Sequence, residues 1–304
     1  MTETRSTDTG EFPAVEDLLA KHFGPSPPPV GVAFGALTHP GRVRPSNQDH
    51  YLVVERRRTR AVLLTNLPAG FLRPADDTAY VLAVADGMGG AAFGELASML
   101  ALRSAWDQAP RAIKWTWIIN DREIEDLKER VELVFRQMDQ DLLERARADP
   151  AYAGMGTTLT GAYTVGPEAF IGHVGDSRAY LYHAGSLTQL TRDHTLAQQC
   201  LDLDLPVLAR SWYHRLTNCL GGSGQEARVD FHHVRLADGD QLLLCTDGLT
   251  DVVRHEEIAL ALGRHPHPQE AVRALVDLAL DRGGPDNVTV VLAQYEVKGP
   301  DEQL

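Results

Sequence analysis

Cysteine is scarce in this chain. Its 304 residues include three, Cys200, Cys219 and Cys245, none in C-x-x-C spacing. That excludes a disulfide framework and a zinc knuckle. Free buried thiols in a reducing compartment are the expectation. Long apolar runs are missing as well, since no stretch reaches the roughly 18–20 residues a spanning helix needs. The N-terminal MTETRSTDTGEF has no basic start followed by an apolar run, so it does not read as a signal peptide. A cytoplasmic monomer is therefore expected. Positive charge is in deficit, with 29 Lys+Arg against 42 Asp+Glu and a formal net charge of −13. Such a balance repels nucleic-acid backbones and anionic membranes, so neither is an expected partner. It suits a protein that binds cations. No internal repeat is visible. What remains is ordinary globular composition, 43% hydrophobic and 23% charged, which excludes a wholly disordered or collagen-like chain.

Residues 1–30 stand apart. They are rich in Ser, Thr, Asp and Glu and end in Pro25, Pro27, Pro28 and Pro29, which favours an extended, solvated tail. Residues 299–304 form a second short tail, and 31–298 read as one domain. Within it, strands are predicted at Val32–Leu37, His50–Glu55, Ala61–Leu64 and Tyr80–Ala85. The basic run Arg56–Arg60 reads as a solvated loop, and the segment with Pro68, Gly70 and Pro74 as another. Helices are predicted over Glu95–Gln108, stopped by Pro110, and Glu123–Ala148. In the second, Val131, Val134, Phe135, Met138 and Leu142 make a core-facing stripe. Strands follow at Thr158–Val165, Ala169–Val174 and Arg178–His183. Val229–Leu236 and Gln241–Cys245 read as a hairpin joined by Ala237-Asp238-Gly239-Asp240. Helices over His255–Gly263 and Pro268–Asp281 precede a last strand, Asn287–Tyr295. Blocks of strands followed by blocks of helices point to an α+β fold.

The aspartates carry the chemical signal. Asp86 ends the apolar run Val81–Ala85 and precedes Gly87-Met88-Gly89-Gly90. Asp247 ends Leu242–Thr246 and precedes Gly248. Asp176 follows Ile171–Gly175, while Asp49 and Asp286 each stand just before a strand. One Asp-Gly at a strand end is usually a turn, and Asp238 reads that way. Five carboxylates at core strand ends are costly unless something compensates them. If they converge, divalent cations would offset their repulsion, and hard oxygen donors suit Mg²⁺ or Mn²⁺. Zinc is disfavoured by the sparse cysteines, and His232-His233 point to opposite faces of a strand. A backbone carbonyl approaches a cation closely where no side chain intervenes, which makes Gly87 a candidate.

Six segments occur in order: Arg44…Asn47-Gln48-Asp49, Val84-Ala85-Asp86-Gly87-Met88-Gly89-Gly90, Gly156-Thr157-Thr158, Gly175-Asp176-Ser177-Arg178, Thr246-Asp247-Gly248-Leu249-Thr250-Asp251 and Gly284-Pro285-Asp286-Asn287. Together they resemble the metal-dependent protein serine/threonine phosphatases of the PP2C (PPM) family, particularly bacterial members, over roughly residues 31–296. The resemblance implies a four-layer α-β-β-α sandwich with two central antiparallel sheets. It implies a centre of two Mn²⁺ or Mg²⁺ ions, with Asp86 bridging them, Gly87 giving its carbonyl to one, and Asp247 and Asp286 ligating the other. Asp49 would act directly or through water. Asp176, with Asp247, matches a weaker third metal site, and Arg44 the arginine that grips the substrate phosphate. A water bridging the two ions would attack phosphoserine or phosphothreonine on proteins, targets of a serine/threonine kinase, so no covalent intermediate is needed. Cys245, inside a strand, then reads as a core thiol.

The chain departs from the family in places. Met88 stands where some members carry a His proposed as general acid, and Gln48 replaces an acidic residue found in some relatives. The loop Arg56–Thr78 is long. Residues 195–222 match a variable flap and here carry Trp212, Tyr213, His214 and Arg215. Two other readings compete. Gly87-Met88-Gly89-Gly90-Ala91-Ala92 matches a dinucleotide fingerprint, but the acid needed about 20 residues on, Asp107, lies in a helix pattern. A catalytically inactive phosphatase-like scaffold would be expected to lack the metal aspartates or Arg44, and all are present.

Overall fold

The computed structural model describes residues 30–66, 75–89, 91–112, 121–222 and 226–297. The expected tails therefore lie outside the described residues, apart from Val30, as does the segment holding Pro68, Gly70 and Pro74. The chain forms two units, Met1–Pro27 with Arg57–Asp77, and Pro28–Arg56 with Thr78–Leu304. The second holds the core and every residue discussed as a site. No helix among the described residues is long and apolar enough to cross a membrane.

Twelve strands are described: β1 Val30–His39, β2 Asp49–Arg60, β3 Ala75–Met88, β4 Gly156–Thr157, β5 Leu159–Val165, β6 Glu168–Val174, β7 Arg178–His183, β8 Ser186–Gln189, β9 Leu220–Gly221, β10 Asp230–Arg235, β11 Gln241–Cys245 and β12 Val288–Val297. The α-helices are α1 Ala91–Ala112, α2 Asp121–Ala148, α3 Leu196–Asp202, the single turn α4 Asp247–Thr250, α5 His255–Arg264 and α6 Pro268–Asp281. One sheet has the order β1-β12-β11-β7-β8. The other runs β10-β6-β5-β3-β4-β9, with β2 paired to β3. All the strand pairs given a register are antiparallel.

The period of two along each strand builds the layers. On β11, Leu242 and Leu244 point between the sheets, where they meet Leu82, Val84 and Ile171 of the other sheet. Leu243 and Cys245 point outward, onto Ile258 and Leu262 of α5 and Val272 and Leu275 of α6. On the opposite sheet Ala83, Ala85, Leu159 and Val174 pack under Ala97 and Ala101 of α1 and Phe135, Met138 and Leu142 of α2. The result is the four-layer α-β-β-α sandwich implied by the resemblance, and α2 lays down the predicted stripe.

Several local expectations need correction. Residues 230–235 and 241–245 do not form a hairpin: β10 pairs with β6 and β11 with β7 and β12, so the chain changes sheets between them. The turn signal itself holds, with Asp240 N–H donating to the Ala237 carbonyl at 3.2 Å and Gly239 at φ +79°. A turn motif specifies a reversal, not the partner of the strand that follows. The basic run Arg56–Arg60 continues β2, with Glu55, Arg57 and Thr59 exposed and Arg56 and Arg58 half-buried. A charged run with strand alternation is compatible with a ladder when its long side chains reach solvent. Ala61–Leu64 is not a strand, and Leu63 is 89% and Leu64 96% exposed. Helix α1 begins four residues before the expected start and runs through Pro110 to Ala112. A proline that close to a helix end disturbs only the final turns.

Candidate active site

The site is built where strands of both sheets end on the same side of the sandwich. At the end of β3 the backbone leaves β5 and pairs with β4, Gly87 opposite Thr157 and Met88 opposite Gly156. The motif Gly156-Thr157-Thr158 clamps that end. Thr158 N–H and Thr157 Oγ1 both donate to the Asp86 carbonyl, at 2.9 and 2.7 Å, and Thr158 Oγ1 accepts Asp86 N–H at 3.1 Å. Gly87 has a steric reason to be glycine as well. A Cβ there would lie 2.0 Å from the Gly94 carbonyl oxygen, so the bare backbone lets α1 close onto this loop.

Asp49 opens β2 and is 2% exposed. Its Oδ2 accepts hydroxyls from Thr246 and Thr289, each at 2.8 Å. Asn287 ties the loop before β2 to the start of β12. Its Oδ1 accepts Gln48 N–H at 2.8 Å, and its Nδ2 donates to the Pro40 and Ser46 carbonyls, both at 2.9 Å. That loop carries Arg44, whose Nη2 donates to Asp286 Oδ2 at 2.6 Å. Asp247 begins α4, and Asp176 follows Gly175 at the end of β6.

Arg44, Asp86, Gly87, Asp176, Asp247 and Asp286 line one cleft of about 850 Å³. The structure thus brings together six of the seven expected residues at one surface, with Asp49 buried within electrostatic reach of Asp86, Asp247 and Asp286. A contiguous cleft of about 620 Å³ shares Arg44, Asp176, His214, Asp247 and Asp286 and adds Asp251, Arg210 and Tyr213. Here sequence reasoning fell short. Asp251 stands four residues after Asp247, on the next turn of the chain, a spacing that puts both carboxylates on one side. His214 Nδ1 lies 3.5 Å from Asp251 Oδ2 and 3.9 Å from Asp247 Oδ2. Gly94 and Thr289 carry no mark in their local sequence, and Thr246 stands out only as the start of the Thr246–Asp251 motif, with nothing there to tie it to Asp49.

Crowding and burial dominate the electrostatics. Burial pushes Asp86 and Asp176 well above the ordinary carboxylate range, and neighbouring aspartates push further. Burial raises Asp49 to about 7 against the pull of its two threonine hydroxyls, and raises Asp251 to about 6. The Asp247 carboxylate, then those of Asp251 and Asp176, raises His214 to about 9. Among the described residues, the buried Asp49 Oδ1 and Asp247 Oδ1 make no hydrogen bond. Buried carboxylate oxygens without donors are expensive, and a cation is the partner that chemistry supplies for them. A donor set of carboxylates and a peptide carbonyl fits Mg²⁺ or Mn²⁺. Cys245 takes no part: it is fully buried, and burial pushes its thiol up to about 12.

Comparison with known proteins agrees with this geometry. A family model described as protein phosphatase 2C matches residues 71–279. The chain is 37% identical over 219 residues to the serine/threonine protein phosphatase PstP of Mycobacterium tuberculosis, covering 71% of this chain and 40% of that protein. It thus spans about two fifths of the length of PstP. It is 30% identical over 273 residues to the serine/threonine phosphatase Stp of Listeria monocytogenes, covering 87% of this chain and 97% of that one. Among solved structures, the catalytic domain of PstP in complex with two manganese ions superposes with a TM-score of 0.67 at 30% identity, over 88% of this chain and all of that one.

Proposed function

Because the chain belongs to the protein phosphatase 2C family, we propose that it hydrolyses phosphoserine and phosphothreonine esters on proteins in a reaction that requires two Mn²⁺ or Mg²⁺ ions. Its substrates would be targets of a serine/threonine kinase. The catalytic domain we assign is 31–298, with residues 195–222 as a flap beside the cleft. The observation that carries this reading is the convergence of aspartates from separate strand ends of both sheets on one cleft that also holds Arg44.

Asp86, the Gly87 carbonyl, Asp247 and Asp286 would hold the two ions, with Asp49 behind them, and Asp176 with Asp247 would hold a weaker third. Bound there, such ions supply Lewis-acid activation of water and charge neutralisation of the phosphate. Without them the carboxylates around the cleft would repel a phosphate dianion, so substrate binding and cation binding are coupled through the same residues. Arg44 stands at the cleft with its guanidinium oriented by Asp286. Its planar fork can pair with two phosphate oxygens and neutralise charge as it shifts in the transition state. Met88, beside Gly87, has no proton to offer the leaving alkoxide.

The test is hydrolysis of p-nitrophenyl phosphate and of a phosphothreonine peptide with Mn²⁺, Mg²⁺ or EDTA, for wild type, Asp86→Asn and Asp247→Asn. Metal-dependent turnover in wild type and its loss in both variants are expected. Unchanged rates in either variant would remove the mechanism. A wild type inert at saturating Mn²⁺ would point instead to a phosphatase-like scaffold.

A further inference from the structure

We propose that His194 is a positioning residue: it clamps the peptide before Asp176, so that the Asp176 carboxylate faces the cation site, and it ties that loop to the root of the flap. This rests on the metal-dependent reading above and deepens it.

The Asp176 carboxylate receives no hydrogen bond from another side chain among the described residues, so its direction is set by its own backbone. That backbone is unusual. Gly175 lies at φ +114°, and a Cβ there would come within 2.5 Å of the Thr158 side chain. A conformation open only to glycine needs neighbours to hold it, and both polar groups of Gly175 are held by the same distant residue. His194 N–H donates to the Gly175 carbonyl at 2.7 Å, and the His194 ring accepts Gly175 N–H at Nδ1 at 3.0 Å. Because an N–H points at Nδ1, the ring proton sits on Nε2 and is directed at Asp230 Oδ2, 3.1 Å away on β10. The ring also packs on His173, centroid to centroid 4.8 Å.

The same residue reaches the flap. Its carbonyl accepts Thr217 N–H at 2.8 Å, and Asn218 Nδ2 approaches Nδ1 at 3.0 Å. Asn218 in turn exchanges hydrogen bonds with the Arg228 backbone, donating at 2.6 Å and accepting at 3.1 Å. The next residue, Cys219, lines the cleft that holds Asp86 and Asp247. One imidazole therefore fixes the β6–β7 loop, the flap root and β10 to one another. Its contribution to the site is directional, through Asp176, and it lines neither of the two clefts described above. Groups that orient metal ligands in this way typically contribute about 10–100-fold in metal affinity or activity.

Three variants separate the parts of the clamp. H194F keeps the ring volume against His173 and loses both nitrogens. H194N keeps an acceptor where Nδ1 lies. H194Q keeps a group at the Nε2 position and none at Nδ1, so it replaces H194F if that variant does not fold. Amide hydrogen exchange is read on the peptide spanning residues 170–178, and Mn²⁺ binding by calorimetry, with p-nitrophenyl phosphate turnover alongside. In H194F or H194Q, exchange at Gly175 should accelerate, and one Mn²⁺ should bind about 10-fold more weakly. H194N should stay close to wild type. In a D176N background the His194 substitution should change Mn²⁺ binding no further. Wild-type-like Mn²⁺ binding and Gly175 protection in both H194F and H194Q would overturn the proposal. So would an equal loss of Mn²⁺ affinity with and without Asp176. A wild type that binds no Mn²⁺ would overturn the function itself, a result distinct from either.

Discussion

Chelating the divalent cations should destabilise the folded chain more at alkaline than at acid pH, and the size of the effect can be worked from Asp49. This residue is 2% exposed, and burial, only partly offset by Thr246 and Thr289, raises its carboxyl from 3.8 to about 7. The folded value lies above the unfolded one, so the proton favours the metal-free fold. That contribution is complete below about pH 4 and is lost as pH rises through about 7. Between pH 5.5 and pH 8 the loss is about 2 kcal/mol for Asp49 alone, at roughly 1.4 kcal/mol per unit. Asp86 and Asp176 are raised by burial and by their neighbours, so they add in the same direction. A bound cation takes over the neutralising role of the proton, and the loaded protein escapes the loss. At about 2 °C per kcal/mol for a chain of this size, the gap in Tm between Mn²⁺-loaded and EDTA-treated protein should widen by about 4 °C or more from pH 5.5 to pH 8. His173 does not disturb the comparison. Burial lowers its imidazole to about 3, so its stabilisation is present above about 6.5 and fades on acidification alike in both samples. Differential scanning calorimetry at constant ionic strength measures the gap, and Asp49→Asn should flatten its pH dependence. A gap that stays constant or narrows with rising pH would refute the reasoning.

Other outcomes follow from single contacts. Gly87→Ala sets a methyl group 2.0 Å from the Gly94 carbonyl oxygen. It should cost about 1–3 kcal/mol of stability in chemical denaturation and raise the Mn²⁺ concentration for half-maximal turnover. Arg44→Ala should raise KM for phosphoester substrates, with kcat/KM down by about 10–100-fold if a charge-assisted contact worth about 1.5–3 kcal/mol is lost. A fall in kcat at constant KM would assign Arg44 to the transition state alone. Thr246→Val with Thr289→Val removes both donors to Asp49 Oδ2. About 10-fold weaker activation by Mn²⁺ is expected in a metal titration, and an unchanged curve would take Asp49 out of the site.

Local pattern was enough for the elements whose information is local. The helix predicted at Pro268–Asp281 has those bounds in the structure, with Pro at its first turn. The strands β7 and β11 match their predicted ranges, since an apolar run between turn signals declares itself. The aspartates at the strand ends were legible for a related reason: a carboxylate beside a buried run is conspicuous because it is costly. The roles of Gly94, Thr246, Thr289 and His194 were not legible. Thr246, Thr289 and His194 each act on a residue far away in the chain, and a hydrogen bond across such a distance leaves no mark in the neighbouring sequence. Gly94, close to Gly87 in the chain, meets it only because α1 folds back on the end of β3.

Local pattern alone carried most of the strands and helices, their apolar faces, and the negative charges at strand ends. Tertiary structure decided that residues 230–235 and 241–245 join different sheets, and that the basic run after Glu55 extends a strand. It also placed Asp251 and His214 beside Asp247. Periodicity and turn chemistry are properties of consecutive residues, whereas strand pairing and the meeting of charges depend on which distant segments exclude water together.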